Sequence, residues 1–256
     1  MDPSLTSPGI LALFSLGLIL GLKHATEIDH VVAVSTIVSQ NRSLLRSATV
    51  GALWGAGHTA ALLIAGVFVL SLRVAIPEKV SGWFEFGVAL MILGLGASAL
   101  WRALRKRGEV HVHQHSHDGT PHMHVHFHEA STRHNPHSHT ARPAGQAPTH
   151  SHAISSVGVK PLVIGAIHGL AGSGALTLLV LTQIGSAWLG LSYLALFGLG
   201  SITGMLLMSA LIGLPFALNS SWLTGLHHRL QTAVAGLSIA FGLWYAYETG
   251  FASGLF

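Results

Sequence analysis

From Pro161 to His228 the chain runs for 68 residues without one Lys, Arg, Asp or Glu. Soluble domains carry about a quarter charged residues, and no solvated surface can be built from such a stretch. The whole chain follows suit, with 9% charged and 50% hydrophobic residues. In lipid a helix satisfies its own backbone hydrogen bonds, so the class this dictates is an all-α, polytopic membrane protein. The net charge of +4 would point to nucleic acid in a soluble chain. Here the basic residues sit in short loops beside apolar segments, so no nucleic-acid partner is expected. The absence of cysteine excludes disulfides, thiolate metal sites and a cysteine nucleophile. Met1 to Pro8 holds Asp2 and no basic residue, so the first apolar segment is expected to stay in the mature protein.

A spanning helix needs about 20 apolar residues, and six segments qualify: roughly 9–38, 48–72, 82–101, 159–181, 187–217 and 230–248. The fifth is long for one span and is expected to tilt or to break before Pro215. Lys and Arg fall ten to two in favour of the side carrying Arg42, Arg46, Arg102, Arg105 and Lys160. That bias predicts the 108–156 loop in the cytoplasm and both termini outside, and a bacterial cell membrane is the expected location. Segments of the two halves match at offsets of 143 to 146: Gly21-Leu-Lys-His24 with Gly165-Ala-Ile-His168, Leu53-Trp-Gly-Ala-Gly57 with Leu196-Phe-Gly-Leu-Gly200, and Val88–Gly96 with Val234–Gly242. Two repeats of three spans must run in opposite directions, a frequent transporter plan with the substrate near midplane. The expected organisation is a first repeat over 1–107, a His-rich loop over 108–156 and a second repeat over 157–256.

Inside the first segment lies Lys23-His24-Ala-Thr-Glu27-Ile-Asp29-His30. Each ionised group near mid-bilayer costs several kcal/mol, so such a patch implies a function. Imidazole with carboxylate suits Ni, Co, Zn or Cu(II). On a regular helix His24, Glu27 and His30 form one stripe, while Asp29 falls roughly 140° from His24. Asp29 therefore either orients an imidazole from behind, or the helix unwinds so that all four converge. The blander alternative is a solvated helix end. His58 follows two small residues, Gly55 and Gly57, that allow close helix approach; it is either a further ligand or a bundle residue bonded with help from Thr59. His168 stands at the place equivalent to His24, as a ligand, a pathway residue or packing polarity. Ser173 and Thr177 could line the same path. Lys23 either neutralises Glu27 or Asp29 or snorkels to the headgroups.

The loop holds 13 of the 19 histidines, beginning with His111, His113, His115, His117, His122, His124, His126 and His128. Such tracts bind metal, and nothing there is apolar enough to fold, so a disordered tract holding several ions weakly is expected. A solubilising or pH-responsive linker is the alternative.

His24-x4-Asp29-His30, preceded by Lys23, resembles the signature of the nickel/cobalt transporter family, and Gly57-His58-Thr59 resembles that family's second motif. The resemblance implies a secondary permease for Ni²⁺ and Co²⁺, with His24, Asp29, His30 and His58 in metal selection and transport. Two features depart from the family pattern: Glu27 stands where Asp is usual, and six spans replace eight. The shorter plan and the His-rich loop are closer to the urease-associated nickel permeases and to the nickel/cobalt efflux branch. Uptake with the loop as a cytoplasmic buffer, serving a metallochaperone, is the leading expectation; export from a metal-collecting loop is the alternative. Zn²⁺ fits the same donors. No G-x4-G-K-[ST] motif is present, so the chain itself does not use ATP. A hydrolase is disfavoured: H-E-x-x-H is absent, and His168 and Ser173, five apart on a helix, point about 140° apart. A sensor or store using the loop alone is the remaining reading.

Overall fold

The structure is a computed structural model that describes residues 7–72, 77–105, 110–117, 120–127, 158–170, 186–217 and 224–256. Apart from one hairpin, the described residues are helical. The elements are α1 (Ser7–His24), α2 (Ile28–Val38), α3 (Leu44–Leu72), α4 (Glu78–Arg105), β1 (Val110–His117), β2 (Thr120–Phe127), α5 (Lys160–Gly169), α6 (Ala187–Ala217) and α7 (Thr224–Tyr247), which ends in a π turn at Glu248–Ala252. Among the described residues three helices are long and apolar enough to cross a membrane: α3, α4 from Lys79, and α6. The α1–α2 pair, bent by 54°, makes a fourth if it counts as one broken span. Their outer faces carry Leu11, Ile64, Phe68, Leu90 and Leu211, all exposed, as helices that are apolar all round require.

Of the six expected segments, the fourth is described only through α5 and Leu170. The sixth is helical, as α7, but is not among the helices long and apolar enough to cross, and the fifth coincides with α6. α6 is not broken before Pro215. That proline sits in the last turn, where one lost backbone bond is all it costs the helix.

The 108–156 loop is corrected in part. Over Val110–Phe127 it is a two-stranded antiparallel hairpin pairing His111 with His126, His113 with His124 and His115 with His122. The reason is period: His at every second position alternates as a strand does, and Val110, Val112 and Val125 favour extended backbone. His128 and the remainder of the loop lie outside the described residues.

Glycine contacts hold the bundle. α3 and α6 run antiparallel: Ser47 lies against Gly213, Gly51 against Met205, Gly55 against Ile202 and Thr59 against Gly198. α1 follows α6 in the same direction through Gly17–Tyr193, Gly21–Phe197 and Ala25–Gly204, and α5 follows α3 through Gly165–Trp54 and Gly169–His58. α4 meets α7 at Gly96–Ile239 and Leu93–Gly242. Lipid tails are as apolar as the helices, so close packing of small residues is what draws these helices together.

The contacts come in matched pairs. An offset of 143 relates the contacts Gly55–Ile202 and Thr59–Gly198 to each other: Gly55 corresponds to Gly198, and Thr59 to Ile202. Adding 146 turns Gly96 into Gly242 and Leu93 into Ile239. Likewise Gly21 against Phe197 corresponds to Gly165 against Trp54. Beneath these contacts the core gathers Ala33, Val34, Val50, Trp54, Val88, Ile92 and Met205.

Candidate metal centre

The centre forms where α1 stops. After His24 the backbone closes two short turns, with Thr26 N–H donating to Lys23 O at 2.9 Å and Glu27 N–H to His24 O at 3.0 Å. The Thr26 hydroxyl also donates to Lys23 O, at 2.6 Å, satisfying a carbonyl that the broken helix no longer covers. Glu27 is extended (φ −62°, ψ 144°), and α2 starts at Ile28. Asp29 thus sits in the first turn of α2, where the helix dipole favours a carboxylate, and its Oδ1 accepts from the His30 backbone N–H at 2.9 Å.

The 54° bend folds His30 back over His24, with ring centroids 4.5 Å apart. α3 contributes His58, whose Nε2 lies 3.0 Å from His24 Nε2. α5 contributes His168, whose Nε2 lies 2.9 Å from Asp29 Oδ2. Asp29 Oδ1 is 3.0 Å from His30 Nδ1, so one carboxylate holds imidazoles from two separate helices. Glu27 reaches His24 Nδ1 at 3.1 Å from a position 43% exposed. All four imidazoles are buried.

Two sets of donors lie within 4.8 Å of one another: His24, His30 and His58, and Asp29, His30 and His168. Each could hold a metal ion. His30 Nε2, His58 Nδ1 and His168 Nδ1 are buried without a hydrogen-bond partner. An unsatisfied buried nitrogen costs about 1–3 kcal/mol, so three in one cluster point to a ligand that completes them. Trp54 packs against His168 and Phe197 against His24, at centroid distances of 5.6 and 5.3 Å.

The chain is 38% identical over 247 residues to the urease accessory protein UreH of Bacillus sp. (strain TB-90), covering 96% of both chains. The chain belongs to the UreH family. It is also 26% identical over 186 residues to the chloroplast protein FOR GROWTH AND FERTILITY 2 of Arabidopsis thaliana, which is 72% of this chain and 42% of that one. No family model matches the chain, and no solved structure does.

In this UreH-family protein His24, Glu27, Asp29, His30, His58 and His168 all come together. The helix is interrupted before Asp29, and Asp29 meets the imidazoles of His30 and His168 but not that of His24. Thr59 does not support His58; its hydroxyl donates to Gly198 O across the α3–α6 contact at 3.2 Å. Lys23 is exposed. Ser173 and Thr177 fall outside the described residues. The sequence reading missed Trp54 and Phe197 as walls of the centre, because aromatic residues in apolar helices carry no signal of their own. It also missed the Asp29–His168 contact, which spans 139 residues.

Proposed function

We propose that the protein is an integral membrane permease that carries Ni²⁺ into the cell, with Co²⁺ as a second cargo. One observation carries the reading. Four buried imidazoles and a carboxylate converge at a helix break inside an apolar bundle, a donor set suited to borderline divalent ions. Buried ionisable groups of this density are expensive in a membrane and mark an ion pathway. The 38% identical relative is a urease accessory protein, and urease is a nickel enzyme. A need for nickel inside the cell favours uptake over export, as does the membrane potential, worth about 2.3 kcal/mol per charge per 100 mV. Zn²⁺ would compete for the same donors.

The ion-binding residues in this reading are His24, Glu27, Asp29, His30, His58 and His168. The halves 1–107 and 157–256 are inverted repeats of three spans each, supported by the matched contact pairs between helices. The hairpin and the rest of the His-rich loop lie in the cytoplasm, where they receive ions and pass them to a metallochaperone. The termini lie outside. Movement of nickel, not chemistry on a substrate, is the activity.

The test is nickel accumulation in cells and in proteoliposomes, with Co²⁺ and Zn²⁺ competing, for the wild type and His24→Ala. Accumulation by the wild type and its loss in the variant are expected. Depletion of cell nickel by the wild type would reverse the direction, and normal transport by His24→Ala would remove the centre from the pathway.

A further inference from the structure

The donors of the centre divide between two places. Two nitrogens on one ion lie at most about 4.2 Å apart, twice a metal–nitrogen bond of about 2.1 Å. His24, His30 and His58 meet that demand within small side-chain adjustments, and so do Asp29, His30 and His168, but the five together form no single set. The ring centroids of His58 and His168 are 6.3 Å apart. Between the two groups stands His30, 4.5 Å from His24 and 4.1 Å from His168 by centroids. Its Nδ1 lies on Asp29, while its Nε2 is buried and unpartnered.

We propose that the ion occupies two successive positions on either side of the His30 ring, and that His30 is a ligand in both. This rests on the permease reading. The first position is three neutral imidazoles, His24, His30 and His58, which favour nickel over the oxygen-seeking Mg²⁺ and Ca²⁺. The second is His30, His168 and the Asp29 carboxylate, and its negative charge compensates an ion that has lost its water. Glu27 marks the mouth: a carboxylate 43% exposed and 3.1 Å from His24 belongs in an aqueous opening, not against lipid. The opening therefore adjoins the first position. His168, on the far side of His30 from His24, packs against Trp54. An imidazole binds an ion through a ring nitrogen in the plane of the ring, so His30, shared by both donor sets, lets the ion exchange the other partners while one bond is kept. The first position selects and the second commits.

His58 belongs to the first position alone and His168 to the second alone, so proteoliposome kinetics separate them. His58→Ala is expected to raise KM for Ni²⁺ at least tenfold with maximal rate within threefold. His168→Ala is expected to lower the maximal rate at least tenfold with KM within threefold. The same split is expected of His58→Gln and His168→Gln, which keep side-chain bulk and hydrogen bonding if an alanine variant does not elute as a folded protein. Equal shifts of the same parameter in both variants, or the reverse assignment, would overturn the two-position arrangement and leave a single site. A wild type that carries no nickel would instead overturn the permease reading beneath it.

Discussion

Replacing Asp29 by Asn tests the centre because it changes charge and little else. The carboxylate accepts from the His30 backbone N–H at 2.9 Å and lies 3.0 Å from His30 Nδ1 and 2.9 Å from His168 Nε2. A carboxamide has the same outline and keeps an oxygen for His30, but one acceptor becomes a donor. His168 meets that donor by presenting its unprotonated nitrogen, so the ion-free fold survives. A divalent ion does feel the loss. At about 4 Å and an effective dielectric near 20, each pair of unit charges interacts by about 4 kcal/mol, and desolvation of the carboxylate offsets part of this. Even an outer partner of a metal site is worth 10–100-fold in affinity or activity, or about 1.4–2.7 kcal/mol. Nickel uptake by proteoliposomes carrying Asp29→Asn should therefore fall at least tenfold, chiefly in maximal rate. The unfolding temperature in detergent should move by no more than a few degrees. Uptake within twofold of the wild type, at unchanged stability, would refute the reasoning, because the carboxylate would then never meet the ion.

Gly55→Val and Gly198→Val should each destabilise the bundle by about 1–3 kcal/mol of overpacking, and by similar amounts, because their contacts on Ile202 and Thr59 are related by the same offset. Thermal unfolding checks this against Gly94→Ala, where nothing lies within 4 Å and no loss is expected. Replacing His111, His113, His115 and His117 by Ser should lower the number of nickel ions bound per chain while uptake stays above half the wild-type rate. Equilibrium dialysis and flux assays read the two quantities, and loss of uptake with the bound metal would make the loop the working site.

The donors were legible in the sequence because ionisable residues in an apolar segment announce themselves: His24, Glu27, Asp29 and His30 in the first, His58 and His168 as isolated points in others. Their division was not. On an unbroken helix Asp29 faces away from His24, and nothing between Ala25 and Glu27 is a Gly or Pro that would mark a break. The break is held by Thr26, whose hydroxyl takes the Lys23 carbonyl, a local bond that competes with the helix only in this setting. The hairpin illustrates the opposite failure. Composition argued against folding in 110–127, while the alternation of His every two residues, plain in the sequence, already had the period of a strand.

The matched contacts also show what the two halves do not share. His24 and His168 occupy equivalent places, yet Ser201 stands where His58 does, and its hydroxyl donates to Gly21 O at 3.3 Å instead of facing an ion. By the offset of 144 that relates His24 to His168, Ser173 and Gly174 replace Asp29 and His30. Among the described residues, 1–107 thus supplies nearly every donor, and 157–256 supplies one imidazole, His168 on α5. That imbalance has a mechanical consequence. If the halves rock against each other, the first position changes little, because His24, His30 and His58 all belong to residues 1–107. The second position must open, since Asp29 and His168 lie in different halves. The ion is then held by a set internal to one half and released by a set that exists only when the halves meet. Selection is thereby kept separate from the movement that completes transport.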